Sequence, residues 1–505
     1  VDHTRKAVET LKDRKVGIVG GGPGGLACAM LLEHNGFDVT VFEQAETVGG
    51  RNAPLRLGRF TFDTGPTFLN MKFVLDELFE LCGRSSSDYL NCKLLDPMYQ
   101  LSFTDRDIQM NSDKEKMRKE LERSFPGNVN GLDRFYARER VRFEKIMPNL
   151  RRDFCSLRSF MSPRVIKAMP YVFATGSIYD NLGKYFDDTK LRVCFTFQSK
   201  YLGMSPWECP AAFTMIPFVE HEFGIYHIIG GLNQLSQAMA KVVREEGGSI
   251  RTGTAVERLL TSGRRITGVE LDGGEVFSSD YVVINADFGY AFTRLIPPGK
   301  LRKYSQRNIS RKRYSCSTFM LYLGIDKEYS GPHHNIVLAE DYRANINDIT
   351  QGRLSDDFSF YVQNACVTDK RLAPPGKSTV YVLVPVPNNS SGIDWANEKA
   401  GFRGRVLRAI ETRTPMKDIT DHIEVERTIT PREWESDYNV YKGATFNLAH
   451  NIRQMLYFRP HNRFEELRNC YLVGGGTHPG SGLPTIYLSS MISAGLIAKH
   501  AKTKG

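Results

Sequence analysis

Of 505 residues only three are tryptophan and nine are cysteine. No stretch runs about 18 apolar residues without interruption, the length a spanning helix needs. The nearest, Val16 to Leu32, has glycine at six of its seventeen positions. The cysteines are odd in number, scattered, and never in C-x-x-C spacing. That argues against a zinc site or a disulfide framework and fits a reducing compartment. The opening VDHTRKAVETLKDRK is charged and lacks the apolar core of a secretory signal, so it reads as a short helical leader. Recognition-helix patterning, zinc-finger spacing and RNP-type aromatic motifs are missing too. A net charge of +10 and a pI near 9 therefore do not point to nucleic acid. An anionic membrane surface or an acidic ligand remains.

What is present is ordinary in bulk, with 41% apolar and 25% charged residues. The length exceeds a single core and predicts two or three interlocked domains. Glycine is concentrated at the start, in KVGIVGGGPGGLACAMLLEHNGFDVTVFEQAETVGGR from Lys15 to Arg51. Lys15 to Val19 reads as a strand. Gly20, Gly22 and Gly25 stand in G-x-G-x-x-G register, a helix runs to Gly36, and FDVTVFE is a second strand ending on Glu43. Each element has a task in binding a dinucleotide. Gly20 makes the tight turn, Gly22 lets backbone approach a pyrophosphate, and Gly25 lets the helix pack on the strand. The helix N-terminus favours the phosphates through free N–H groups and its dipole. Glu43 can accept hydrogen bonds from both ribose hydroxyls.

Beyond Glu43, a second glycine pair runs through Gly50 into Arg51, which brings backbone and a guanidinium to the same diphosphate. Asp63, Thr64, Gly65, Pro66 and Thr67 then form a turn that can lie beside an isoalloxazine ring. With GGR after the acid and D-x-G-P after a short hairpin, the sequence resembles the FAD-binding half of the amine-oxidase and carotenoid-desaturase flavoproteins.

Residues 70–220 carry helical rather than strand patterns. Within them Arg151 to Phe173 alternates apolar residues with Arg158, Arg164 and Lys167, and Ser162-Pro163 divides it into two helices. Such a segment reads as amphipathic core helices or as a surface that sits on anionic lipid. The α/β pattern resumes near Gly230. A strand is expected from Ser249 to Val256, then a hairpin turning at Asp272-Gly273-Gly274, then a strand ending at Asn285-Ala286-Asp287. Residues 288–450 mix strands and helices. The strand Cys470 to Val473, a glycine turn and a helix with Pro484 at its first position close the chain. That strand is expected to pair within the first sheet. The amides of Thr485 and Ile486, beyond Gly475, are expected to stay free and to face a flavin edge. His478 reads as a turn histidine supporting the glycine loop, and His333-His334 as a loop pair rather than metal ligands.

VGGGTHPGSGLP (Val473–Pro484), INAD (Ile284–Asp287), HHNI (His333–Ile336), LAPPGKSTVYVLVPVP (Leu372–Pro387) and FRPHNR (Phe458–Arg463) occur in the order of the bacterial and fungal phytoene-desaturase family, which the chain resembles. The resemblance implies an α/β fold with a Rossmann-like FAD-binding domain of the amine-oxidase type, a substrate domain and a helical membrane-facing insertion. Residues 1–70, 230–290 and 465–505 would form the FAD domain, 71–229 the insertion and 291–464 the substrate domain. It implies FAD held by Gly20, Gly22, Gly25, Glu43, Gly50, Arg51, Gly65, Pro66, Thr67, Gly475, Thr485 and Ile486, with the backbone of Val256 at the adenine. The implied substrate is a long acyclic polyene, and the implied location is peripheral, on the cytoplasmic side of a membrane. Desaturation by hydride transfer to flavin is the leading activity. A terminal-methyl oxygenase, a polyene isomerase and a flavin-bearing prenyl-lipid carrier are its rivals. An amine oxidase usually carries an acid in the C-terminal flavin turn, where this chain has GGGTHPG. The chain departs from the commoner G-x-P-G-V helix start with GLPTIYLSS, placing Thr485 and Tyr487 near the flavin. No acid–base residue, electron acceptor or oligomeric state follows from the pattern.

Overall fold

The computed structural model describes residues 11–172 and 175–503, with Tyr201 as backbone only. The expected leader lies largely outside the described residues, as does Phe173.

Five parallel strands form one sheet, in the spatial order Cys470–Leu472 (β19), Tyr281–Ile284 (β13), Lys15–Val19 (β1), Asp38–Phe42 (β2) and Ser249–Arg251 (β9). Covered on both faces, these strands read as apolar runs such as YVVI rather than as alternation. The expected return of the C-terminal strand is observed: Val282, Val283 and Ile284 pair with Cys470, Tyr471 and Leu472. The carboxyl ends of β1, β2, β13 and β19 therefore share one edge, the crevice where ligands of open α/β sheets bind.

The helix Pro23–His34 joins β1 to β2 and buries nine of its twelve residues. The helices Asn233–Glu245 and Leu483–Lys502 pack against it. Gly24, Gly25, Ala27, Cys28 and Ala29 keep its surface small enough for both neighbours.

A seven-stranded sheet stands apart, ordered Ile423–Ile429 (β18), Ser317–Ile325 (β14), Ser378–Val386 (β17), Phe360–Asn364 (β16), His334–Val337 (β15), Tyr99–Ser102 (β6) and Asp107–Met110 (β7). Its pairs are antiparallel except β15 with β6. All nine residues of β14 are buried. Phe319, Leu321, Leu323 and Ile325 pack under the helix Trp395–Arg413. Met320 and Tyr322, one residue out of phase, face Phe60 and Phe62 of the hairpin Pro54–Leu57 (β3) and Phe60–Asp63 (β4).

Several expectations change. The 70–220 stretch is mostly helical, yet β6 and β7 leave it to extend the seven-stranded sheet, and Cys92–Leu94 (β5) pairs with Tyr226–Ile228 (β8). Strands of three or four residues are too short to show a period. The strand expected from Ser249 to Val256 stops at Arg251. Gly253 turns the chain at φ +60°, and Val256 instead opens Val256–Ser262 (β10), paired with Arg265–Leu271 (β11). The expected turn at Asp272–Gly274 leads to Val276–Ser278 (β12). His334 begins a strand rather than lying in a loop. The helices Leu157–Phe160 and Pro163–Val172 form as expected, but among the described residues the Ser162 hydroxyl has no partner and does not cap the second.

Candidate flavin site

At the carboxyl end of β1, Gly20 adopts φ +99° and its amide donates to the carbonyl of Phe42 at 2.8 Å. A Cβ on Gly25 would lie 2.2 Å from the Gly20 carbonyl, so only glycine lets the helix start so close to the turn. Glu43 is buried, and its two carboxylate oxygens accept from the amides of Gly21 (2.9 Å) and Ala45 (3.0 Å). Burial pushes its pKa up against those amides, which favour the anion. The sequence singles out INAD, and the structure shows why its asparagine belongs here. Asn285, just past β13, donates from Nδ2 to the Gly20 carbonyl at 3.0 Å, and a Cβ on Gly24 would approach its Oδ1 to 2.6 Å.

The second glycine pair reaches the first turn directly. Gly49 donates to the carbonyl of Gly21 at 2.9 Å, and Gly50 adopts φ +54° beside Gly22. Arg51 is half-buried and donates from Nη1 to the Thr445 carbonyl at 2.6 Å. Burial lowers its pKa and the nearby Asp287 carboxylate opposes that. Asp287 is itself held by the Asn447 amide at 2.6 Å and by backbone amides of Tyr290 and Tyr441. A Cβ on Gly65 would lie 2.7 Å from the Arg51 carbonyl, so the third loop rests on the second.

Three tyrosines of the seven-stranded sheet hold that third loop. Tyr322 donates to the Thr64 carbonyl, Tyr381 to the Gly65 carbonyl at 2.8 Å, and Tyr361 to the Thr67 hydroxyl at 2.9 Å. Pro66, between them, is half-buried. Sequence reading missed these clamps, whose one trace is a tyrosine in each of the strands STFMLYLGI, STVYVLVPV and FYVQN. Asp63 accepts from the Asn233 amide at 3.3 Å, and burial pushes its pKa up to about 7.

The last piece is the turn Gly474–Thr477 and the helix Leu483–Lys502. Gly475 and Gly476 are half-buried, and among the described residues neither amide has a hydrogen-bond partner. The expected free pair at the helix start is corrected. The helix begins at Leu483, which makes Pro484 its second residue, and the Ile486 amide donates to the Gly482 carbonyl at 2.9 Å. The first intrahelical bond thus engages Ile486, leaving the Leu483 and Thr485 amides of the first turn without a partner among the described residues. The Ile486 side chain instead meets Gly24, where an added Cβ would lie 3.0 Å from its Cγ2. The Thr485 hydroxyl bonds back to the Ser481 carbonyl at 2.8 Å, and Tyr487 is fully buried with its hydroxyl unpartnered. His478 is buried, edge-on to Phe154 at 4.7 Å, and burial lowers its pKa to about 3, so it is neutral. His333 and His334 hydrogen-bond to Thr368 and Tyr361, both at 2.7 Å.

The fold thus gathers Gly20, Gly22, Gly25, Glu43, Gly50, Arg51, Gly65 and Ile486. Val256 lies to one side, two residues beyond Thr254, whose amide donates to the Glu43 carbonyl at 2.9 Å. An acid at one end, two joined glycine turns in the middle and unpartnered amides at the far turn suit an elongated flavin dinucleotide.

Comparison with known proteins agrees. The profile of the flavin-containing amine oxidoreductases matches residues 23–498. The chain is 55% identical over 488 residues to a 4,4'-diapophytoene desaturase (4,4'-diapolycopene-forming) of Methylomonas sp., covering 96% of each chain. It is 39% identical to a zeta-carotene-forming phytoene desaturase of Myxococcus xanthus, covering 97% of this chain and 95% of that one. A solved putrescine oxidase superposes with a TM-score of 0.63 at 13% identity, covering 97% of this chain and 99% of that one, which shows a shared fold. An oxidoreductase from Methanosarcina mazei does so with a TM-score of 0.63 at 17% identity, covering 94% and 99%. The chain belongs to the flavin-containing amine oxidoreductase family, in its carotenoid-desaturase branch, and is an oxidoreductase whose cofactor is FAD.

Proposed function

We propose that this protein is an FAD-dependent desaturase of a diapophytoene-type acyclic carotenoid and introduces conjugated double bonds into it. The observation that carries the reading is the 55% identity, over 96% of each chain, to a diapophytoene desaturase. The convergence of three glycine-rich loops at one sheet edge supports it.

Gly20, Gly22, Gly25 and the helix they open would hold the diphosphate, with Gly50 and Arg51 on its other side. Glu43 would hold the ribose, and Val256 would border the adenine. Gly65, Pro66, Thr67, Gly475 and Thr485 would flank the ring, and Ile486 would contribute its side chain. When bound, FAD would supply the acceptor for a hydride from the polyene, the adjacent carbon losing a proton as each double bond forms. The chain's own residues orient and enclose. Tyr322, Tyr361 and Tyr381 fix the ring-side loop, and Phe68 packs edge-on against Tyr361 (5.8 Å) and His334 (4.3 Å) beside it.

The polyene is expected to arrive from a membrane, on which the protein sits peripherally. No helix among the described residues is long and apolar enough to cross one. Leu157, Met161, Ile166, Ile452 and Phe458 are each about half exposed, between 48% and 60%. Phe160 stacks on Tyr457 at 5.5 Å and joins the two segments into one apolar patch beside exposed Arg158, Arg164 and Lys167. Such a patch, rimmed by cations, suits anionic lipid.

The test is expression in cells that make diapophytoene, followed by mass spectrometry of the extracted pigments. Loss of hydrogen pairs with a red-shifted absorption spectrum is expected. Gain of oxygen would replace this reading by a methyl oxidase, and unchanged mass with altered retention by an isomerase. Unchanged pigment alongside FAD-loaded protein would replace it by a carrier.

A further inference from the structure

Arg459, in the FRPHNR block, is fully buried, the largest such side chain among the described residues. Its guanidinium donates to four carbonyls: Thr477 (3.1 Å, from Nε), Gln454 (3.1 Å, from Nη1), Leu448 (3.3 Å) and Gly475 (2.5 Å, both from Nη2). Among the described residues no carboxylate pairs with it. A buried cation without a counter-ion is costly, and an apolar side chain of similar volume would usually serve stability as well or better.

Its neighbours do not offset the charge. The Ser481 amide donates to His450 Nε2 at 3.2 Å, so that nitrogen carries no proton. Burial first, and the Arg459 charge second, hold both His450 and His478 far below the usual imidazole range. Burial lowers Arg459 itself only to about 9, so it stays charged at neutral pH. Two of the four acceptors, Gly475 and Thr477, belong to the turn whose far side carries the unpartnered amide of Gly476. In a trans peptide the N–H points opposite to the C=O. The Gly475 carbonyl turned to Arg459 therefore aims the Gly476 amide the other way, polarised by the cation behind it.

We propose that Arg459 is a positioning residue for the flavin reaction. It pins the C-terminal glycine turn and backs it with a positive charge that favours the reduced, anionic form of the cofactor. This rests on the reading that the turn faces the flavin ring. Arg459 gains and loses nothing in turnover. Its field acts through a buried region, where charge is poorly screened.

The test compares FAD-loaded wild type with Arg459→Met, Arg459→Gln and Arg459→Lys by redox titration of the bound flavin. In the two neutral variants the midpoint should move to more negative potential. The expected shift is at least tenfold in the reduced-to-oxidised ratio at fixed potential, about 30 mV for two electrons. A neutral variant that keeps FAD with an unmoved midpoint overturns the proposal, whereas a merely structural role would alter FAD retention alone. Should neither neutral variant fold, Arg459→Lys decides. A buried lysine loses its proton more readily, so the midpoint of that variant should fall more steeply with rising pH than that of wild type. Equal slopes overturn the proposal. A wild type that binds no FAD would overturn the site reading as well, and this separates the two failures.

Discussion

The hydroxyl of Tyr381 donates to the carbonyl of Gly65 at 2.8 Å across 316 residues of sequence. Tyr322 lies opposite Tyr381 in the β14–β17 register and donates to the preceding carbonyl, Thr64. The seven-stranded sheet thus holds a loop of the cofactor crevice by its backbone. Replacing Tyr381 by phenylalanine leaves the ring in place and removes one hydrogen bond. Thermal unfolding should show a loss of about 1 kcal/mol. FAD should dissociate faster from Tyr381→Phe than from wild type in a stopped-flow dilution assay. An unchanged dissociation rate would uncouple the clamp from the cofactor.

Glu43 and Arg51 approach the crevice from different loops, and each loss should deplete FAD. Glu43→Ala and Arg51→Ala are expected to purify colourless or substoichiometric in flavin, judged by the absorbance ratio of flavin to protein. Glu43→Gln should fall between, because its amide nitrogen cannot accept from a backbone N–H. Full yellow cofactor in either alanine variant would exclude the site as drawn.

Asp63 gives a pH dependence of defined sign. Burial raises its pKa from 3.8 to about 7 in the folded protein, so folding favours the protonated form. Its contribution is fully present below about pH 4 and is lost as pH rises to about 7. Asp63→Asn should flatten that part of the stability profile and raise stability at neutral pH, by a few kcal/mol at most on about 1.4 kcal/mol per pKa unit. Denaturant titrations at several pH values would show it. A parallel profile in the variant would mean that another group titrates in this window.

Two glycine substitutions should act in opposite directions. A Cβ on Gly25 meets the Gly20 carbonyl at 2.2 Å, whereas one on Gly401, in the exposed face of the helix Trp395–Arg413, meets nothing within 4 Å. Gly25→Ala should cost about 1–3 kcal/mol through overpacking. Gly401→Ala should stabilise by about 0.5–1 kcal/mol, because it restricts the unfolded chain and improves helix propensity. Both are read by calorimetry without cofactor.

The apolar patch predicts a lipid dependence. Flotation with anionic liposomes should fall when Arg158, Arg164 and Lys167 are reversed to glutamate, and wild-type flotation should weaken at high salt, which screens the attraction. Flotation indifferent to all three charges would remove anionic lipid from the account.

Local backbone demands were legible in one dimension. A turn that needs positive φ or close backbone approach accepts only glycine, and an acid at a strand end must sit a fixed distance along the chain. Gly20, Gly25, Glu43 and the path to Arg51 therefore stood in the sequence as a pattern, and so did the apolar runs of the doubly covered sheet. Short strands were not legible, because three or four residues show no period, and so β6 and β7 lie hidden among helical patterns. The first amides of the C-terminal helix depended on where its first hydrogen bond closed, which moved Ile486 from free donor to packed side chain. The tyrosine clamps, Asn285 on Gly20 and the four carbonyls around Arg459 join residues far apart in the chain. Only the tertiary structure could decide them, because which distant donor meets which carbonyl is set by how sheets and helices pack.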